Sequence, residues 1–159
     1  PQIKSLVTLT HGEGFGLPLF EAAYSGLPIV APNWSGQSDF LNMPFESKSK
    51  KSKKKNPLKA MFSEVEYTMG PVPKDAIWKG VIEEGMSWCY PTEGLFNLRM
   101  RQMRNNYDKS LDRAKKLQEW VCQEFAWDKK HEHLSHLISP PISEEEAEWM
   151  QTLSEIEVL

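Results

Sequence analysis

The segment that most constrains the fold is a glycine-rich loop between an apolar run and a helical pattern. Residues 3–9 are rich in apolar and β-branched side chains, which is typical of a buried strand. Three glycines then fall within five positions, from Gly12 to Gly16. From residue 19, apolar residues recur at helical spacing until Gly26, and the apolar run 27–31 predicts a second strand. The sequence therefore predicts a strand, loop, helix and strand, with the loop at the carboxyl end of a parallel sheet.

The residues of this loop favour a ligand that carries both phosphate and hydroxyl groups. Glycines let the backbone approach a ligand closely, and the free N–H groups that open the following helix attract an anion. Pro18 suits the first turn of that helix, because its missing N–H would be unpaired there. Glu13 and Glu21, with seven residues between them, repel phosphate but accept hydrogen bonds from hydroxyl groups. The two acids therefore predict polyols on either side of a phosphate, which is the chemistry of a sugar nucleotide.

Other glycine-loop motifs fit this segment less well. A dinucleotide fingerprint that begins at Gly12 and Gly14 requires a third glycine where Leu17 stands. No Gly-Lys-Ser/Thr sequence follows, so the loop does not have the P-loop pattern. The remaining alternative is a tight turn whose glycines serve only backbone geometry and whose acids are solvated.

The segment from Glu13 to Glu21 resembles the E-x7-E motif of retaining glycosyltransferases of the GT-B fold, particularly the large family 4 group. The similarity is close over residues 1–41, where it continues through Gly26–Ala31 and Ser35–Gln37, and looser over residues 62–138. The resemblance implies that Glu13 is a catalytic residue that contacts hydroxyls of the donor sugar, and that Glu21 holds the ribose. It also implies donor binding by the loop residues Gly12, Gly14, Phe15, Gly16 and Leu17.

The resemblance implies an α/β fold: a Rossmann-like domain with a partial doubly wound parallel sheet flanked by helices, the C-terminal half of a GT-B protein. The implied activity is hexosyl transfer, with retention, from a UDP-, GDP- or ADP-sugar to a sugar, lipid or protein acceptor. The resemblance further implies that neither a metal ion nor another cofactor takes part. The alternative is a non-catalytic nucleotide-binding or interaction module derived from a truncated transferase.

The domain organisation predicted from the sequence is a donor-binding domain over residues 1–138 and an acidic helical tail over residues 139–159. The tail holds six acids and no base, opens a helix with Ser143 as its cap, and carries an apolar stripe of Trp149, Leu153 and Ile156. Compared with a complete GT-B protein, the amino-terminal acceptor domain and the first strands of the donor domain are missing. We therefore expect a fragment that is inactive alone and self-associates into a homo-oligomer.

A lysine-rich segment interrupts the predicted domain. Residues 48–59 contain seven lysines and no acid, so the formal net charge of −3 would be −10 without them. Such a run repels itself and predicts a mobile loop over residues 47–59. A solvated insertion is the simplest interpretation, and binding to a membrane surface, at ~1 kcal/mol per lysine, is the alternative. No nucleic-acid partner is expected, because the run lacks interleaved aromatic residues.

The remaining residue types predict a cytoplasmic protein that is either free or peripheral to a membrane. No stretch approaches the ~20 apolar residues of a transmembrane helix, and Cys89 and Cys122 are too few for a disulfide framework. His131, His133 and His136 lie close together, but no cysteine or carboxylate cluster completes a tetrahedral metal site, so exposed helix histidines are favoured.

Residues 61–73 predict a short strand and turn, followed by a loop that carries Trp78 and Trp88.

Overall fold

The structure, a computed structural model, describes residues 3–45, 57–138 and 143–156. The protein is mixed α/β, about half helical and about 20% strand. Its contacts group it into two compact units, Pro1–Cys122 and Gln123–Leu159. The predicted boundary after residue 138 falls inside the second unit and stays a prediction.

In the described residues the strands come before residue 92, and the last four helices follow one another from residue 95 onward. The strands are β1 (Leu6–Val7), β2 (Ile29–Pro32), β3 (Asn42–Pro44), β4 (Leu58–Ala60), β5 (Ser63–Val65), β6 (Tyr67–Pro71) and β7 (Ser87–Pro91). The helices are α1 (Leu17–Tyr24), α2 (Ser38–Leu41), α3 (Leu95–Asn105), α4 (Tyr107–Glu124), α5 (Trp127–Ile138) and α6 (Glu144–Ile156).

A small parallel sheet organises the first unit. Its strand order is β1-β2-β5, with Leu6 opposite Ile29 and Val30 opposite Ser63. Because α1 lies between β1 and β2 in the chain, the predicted strand, loop, helix and strand are confirmed, although β1 is shorter than residues 3–9. Parallel strands end at the same edge of a sheet. The segments after β1, β2 and β5 therefore begin at one edge.

The core of the first unit lies where α3 packs against the sheet. Val30, Val65 and Met103 form a buried cluster there, and Val7, Phe96 and Met100 pack against it. Elsewhere in this unit, the buried residues of α1 are Leu19, Ala22 and Ala23, and those of α4 are Ser110, Ala114, Leu117 and Val121. The sheet thus provides a rigid support for its edge loops.

The two-stranded sheet formed by β6 and β7 shows that part of the sequence interpretation is wrong. Strands β6 and β7 pair antiparallel, from Tyr67 opposite Pro91 to Pro71 opposite Ser87. Residues 61–73 therefore contain two strands rather than one, and Trp88 lies in β7 rather than in a loop. The pairing joins segments about 20 residues apart, and no local pattern in the sequence reveals such a partner.

Strands β3 and β4 form an antiparallel pair that bounds the lysine-rich segment. Asn42 lies opposite Ala60, and Pro44 lies opposite Leu58. Residues 58 and 59 therefore belong to a strand, so the predicted loop over residues 47–59 is wrong at this end. These two residues lie in a strand because β4 pairs with β3. The charge pattern of the sequence does not predict that pairing. The rest of that segment, up to residue 56, lies outside the described residues.

In the second unit, the predicted cap of α6 is confirmed. The Glu146 N–H donates to the Ser143 hydroxyl at 3.2 Å, and the Ser143 N–H donates to the Glu146 carboxylate at 2.8 Å. Hydrogen bonds from the Ser143 backbone and then from its hydroxyl lower the pKa of Glu146. Trp149 is exposed, whereas the side chains of Leu153 and Ile156 lie outside the described residues.

Two general properties of the described residues bear on function. His131, His133 and His136 are exposed on α5, and no group of three or more metal-binding side chains occurs in the part of the chain that the structure describes. Among the same residues, no helix has the length and apolar character needed to cross a membrane.

We predict that Met103→Ala lowers the free energy of unfolding by about 2–5 kcal/mol, the range for removing a buried methionine side chain. Met103 is 6% exposed and lies in the core cluster. Met150→Ala is the matched control, because Met150 is a helical methionine that is 54% exposed. Urea denaturation followed by circular dichroism measures both, and an equal loss in the two variants would contradict this description of the core.

Candidate functional site

The candidate site lies at the carboxyl edge of the parallel sheet. Residues 8–16 follow β1, residues 33–37 follow β2, and the β6–β7 hairpin follows β5. Hydrogen bonds join the first of these segments to each of the other two. This edge is where open α/β sheets bind ligands, so the glycine loop occupies the position that the sequence predicts for it.

Two glycines allow the chain to pack closely at this edge. Gly16, the residue before α1, has a φ of 86° that favours glycine. At Gly36, a Cβ atom would lie 2.1 Å from the carbonyl oxygen of Gly14. At Gly14 itself, a Cβ would meet nothing within 4 Å. Gly16 and Gly36 therefore serve the fold, whereas the space beside Gly14 is open.

The turn after β2 holds the backbone of Glu13. The Ser35 hydroxyl donates to the Glu13 carbonyl oxygen at 2.6 Å, and the Glu13 N–H donates to the Ser35 hydroxyl oxygen at 3.2 Å. The Gly36 N–H donates to the same Glu13 carbonyl at 3.2 Å. The backbone of the first predicted site acid is therefore held by hydrogen bonds on both sides of its Cα atom.

The carboxylates of the two predicted site acids have no partner in the part of the chain that the structure describes. Glu13 is half-buried in the loop, and Glu21 is exposed on α1. Within the described residues, neither carboxylate makes a hydrogen bond or an ion pair. Both acids are therefore available to accept hydrogen bonds from a ligand.

The amino-terminal end of α1 lies between these acids along the chain. The helix has no side-chain cap and no acid in its first turn, and Pro18 stands in that turn as the sequence predicts. The partial positive charge at such an end is therefore not compensated by the helix itself. Leu17 is exposed at the helix start, while the Phe15 ring packs at 5.1 Å from that of Phe40. The Phe15 side chain thus anchors the loop, and its backbone role stays a prediction.

Sequence reasoning missed His11, which joins the loop to the β6–β7 hairpin. His11 Nδ1 donates to the Cys89 carbonyl at 2.7 Å, because a carbonyl only accepts, and the Cys89 N–H donates to the His11 carbonyl at 3.2 Å. The imidazole stacks on Trp88 with ring centroids 4.8 Å apart and planes 4° apart. The only signal in the sequence was the position of a histidine inside the glycine loop. The contact itself spans 78 residues.

The buried Cys89 thiol belongs to this junction as a packing group. Its pKa is raised because burial disfavours the charged thiolate. The thiol is therefore neutral near pH 7. The half-buried Cys122 lies elsewhere, on α4.

A polar cavity of about 360 Å³ opens beside the ends of β2 and β5. Its lining includes Asn33, Glu64, Glu66, Tyr67 and Arg99. Arg99 forms an ion pair with Glu66. The pKa of Glu66 is lowered by a hydrogen bond with its own backbone and further by Arg99. The guanidinium at this edge is therefore engaged within the protein.

No protein-family model matches the chain, and no curated protein or solved structure is significantly similar to it. Its function is therefore inferred from the residues and geometry of this edge. They combine an open backbone at Gly14, an uncompensated helix end and two carboxylates that no other described residue engages. Groups of these kinds have the chemistry to bind an anion and to accept hydrogen bonds from hydroxyl groups.

We predict that Gly36→Ala displaces the glycine loop and lowers the free energy of unfolding by about 1–3 kcal/mol, as overpacking does. The added methyl would overlap the Gly14 carbonyl. Gly14→Ala is the matched control, since a Cβ there meets nothing within 4 Å. Thermal unfolding measures the loss of stability, and the amide chemical shifts of residues 12–17 report the displacement of the loop. Equal behaviour of the two variants would rule out the close contact.

Proposed function

We propose that this chain is the nucleotide-sugar-binding part of a retaining, metal-independent glycosyltransferase, with a Rossmann-like donor-binding domain. The observation that carries the proposal is a pair of carboxylates, Glu13 and Glu21, which precede and follow the α1 amino terminus in the chain and have no partner among the described residues. The resemblance to the E-x7-E motif agrees with this arrangement.

Main-chain groups supply the proposed diphosphate site. The backbone beside Gly14 is open, and the first turn of α1 presents N–H groups without a competing acid. Backbone N–H groups at a helix start bind phosphate oxygens and stabilise negative charge. The departing diphosphate would gain the most from these groups, because its charge grows as the sugar leaves.

The two acids are suited to opposite ends of such a donor. Glu13 lies before the helix, and Glu21 lies about 6 Å further along the helix axis than Leu17, given a rise of about 1.5 Å per residue. In a sugar nucleotide the diphosphate separates the sugar from the ribose, so one acid reaches each. We assign the sugar hydroxyls to Glu13 and the ribose hydroxyls to Glu21. Glu13 would hold the sugar so that the acceptor attacks from the face that the diphosphate leaves.

A non-catalytic nucleotide-binding or interaction module is the second candidate. Gly16 and Gly36 have roles in the packing of the loop that need no ligand. In addition, Arg99 is engaged by Glu66, so the described residues of this edge offer the diphosphate mainly backbone donors. These features are compatible with nucleotide binding that is not followed by sugar transfer. Measurements of sugar-transfer turnover therefore separate the two candidates.

We predict that Glu21→Ala weakens binding of UDP, GDP or ADP and their sugars by roughly 1.5–3 kcal/mol, the range for hydrogen bonds to a charged group. Isothermal titration calorimetry measures the change. Glu119→Ala is the matched control, because Glu119 is also an exposed helical glutamate. An affinity equal to that of the control variant would remove Glu21 from the ribose site.

We predict that Glu13→Gln lowers turnover far more than nucleotide affinity, because a sugar contact acts on the transition state rather than on the diphosphate. The comparison uses an active protein that includes this domain and measures kcat beside the Kd of the nucleoside diphosphate. If nucleotide affinity collapsed while kcat at saturation stayed normal, Glu13 would belong to the nucleotide site instead.

A further inference from the structure

We infer that Ser35 is a positioning residue of the site, whose hydroxyl fixes the Glu13 backbone so that the Glu13 carboxylate meets the donor sugar. The inference rests on the proposed function, because it needs a sugar at Glu13. The observations that support the inference differ from those that support the proposed function, because they concern the turn after β2 rather than the amino-terminal end of α1.

The Ser35 hydroxyl makes both of its hydrogen bonds to the same residue. It donates to the Glu13 carbonyl at 2.6 Å and accepts from the Glu13 N–H at 3.2 Å. The two groups flank the Glu13 Cα atom, from which the side chain projects. Fixing both groups therefore limits the directions in which the carboxylate points.

The backbone of Ser35 adopts a conformation that glycine would adopt more readily. Its φ is 67°, and among the described residues it is the single non-glycine residue with a positive φ. Such a conformation is sparsely populated and persists where the surroundings hold it, which is common at functional sites. The feature that serine adds over glycine at this position is the hydroxyl, and that hydroxyl bonds Glu13.

A network behind the turn holds Ser35 in place. The Ser38 hydroxyl donates to the Ser35 carbonyl. The Asn42 side-chain amide donates to the Ser38 carbonyl at 2.8 Å and to the Asn33 side-chain oxygen at 2.9 Å. Gln37, which is 1% exposed, donates to the Pro32 carbonyl at 3.1 Å. The turn is thus tied to the end of β2 and to α2, so it forms the fixed body against which Glu13 is held.

The Glu13 carboxylate has no other restraint of this kind. It makes no hydrogen bond or ion pair within the described part of the chain. Its position therefore depends on its backbone, which Ser35 and Gly36 hold. Ser35 acts through Glu13 and does not itself need to touch the donor.

Three substitutions separate the hydroxyl from the backbone conformation. Ser35→Gly removes the hydroxyl but suits a positive φ, whereas Ser35→Ala removes the hydroxyl and keeps an unfavourable φ. Ser35→Thr keeps a hydroxyl but places a β-branched residue at positive φ. Ser87→Ala is the control, because Ser87 is exposed in β7.

We expect amide hydrogen exchange at Glu13 to accelerate in both Ser35→Gly and Ser35→Ala, relative to the protein without substitution. In an active protein that includes this domain, kcat should fall about 10- to 100-fold in both variants, the effect of a small misplacement of a reacting group. The Kd of the nucleoside diphosphate should change less than about twofold. Ser35→Thr should be less stable to heat than Ser35→Gly and yet retain the higher kcat.

A structural role for Ser35 predicts the opposite order, with activity following thermal stability and Ser35→Gly as active as the original protein. That result, or unchanged amide exchange at Glu13 in Ser35→Gly, overturns the inference alone. Absence of UDP-, GDP- and ADP-sugar binding in the protein without substitution overturns the proposed function, and the positioning role falls with it. Binding without any effect of the substitutions leaves the proposed function intact.

Discussion

The close contact between Gly14 and Gly36 is the constraint on which the geometry of the candidate site depends. The loop after β1 and the turn after β2 touch through their backbones, at a distance that leaves no room for a Cβ on residue 36. This contact brings the Ser35 hydroxyl onto Glu13 and lets the Gly36 N–H reach the Glu13 carbonyl. The parallel pairing of β1 with β2 places the two segments at the same edge, and the missing side chain of Gly36 then allows them to meet.

The glycines of the loop divide between two purposes, a distinction that the sequence alone does not make. Gly16 needs its positive φ to begin α1, and Gly36 needs its missing side chain for the contact with Gly14. Gly14 does not have a positive φ, and no atom of the described residues lies within 4 Å of where its Cβ would be. Protein packing therefore explains Gly16 and Gly36 without a ligand, whereas the open space at Gly14 is the part of the motif that a ligand explains best.

Local signals in the sequence were sufficient for the elements next to the site. The strand, loop, helix and strand up to Pro32 follow from the periodicity of apolar residues and the positions of the glycines. In the second unit, the Ser143 cap likewise follows from a local pattern of four residues. The β6–β7 hairpin and the His11 contact were missed, because each depends on partners far apart in the chain. The positive φ of Ser35 was equally hidden, since serine usually avoids it. The periodicity of apolar residues indicates which face of a strand or helix is buried, but it does not indicate which strands pair with each other.

The charge distribution of the site also limits what it recognises. Two acids beside a phosphate repel it unless the phosphate lies on positive partial charges between them, and the uncompensated start of α1 provides such charges. Arg99 does not add to them, because its guanidinium is paired with Glu66. Anion binding in the described residues would therefore depend mainly on backbone N–H groups, which respond to phosphate geometry rather than to the identity of a base. Under the proposed function, the two acids would select for hydroxyl groups on either side, and this edge would specify the class of donor while leaving the nucleobase to residues outside it.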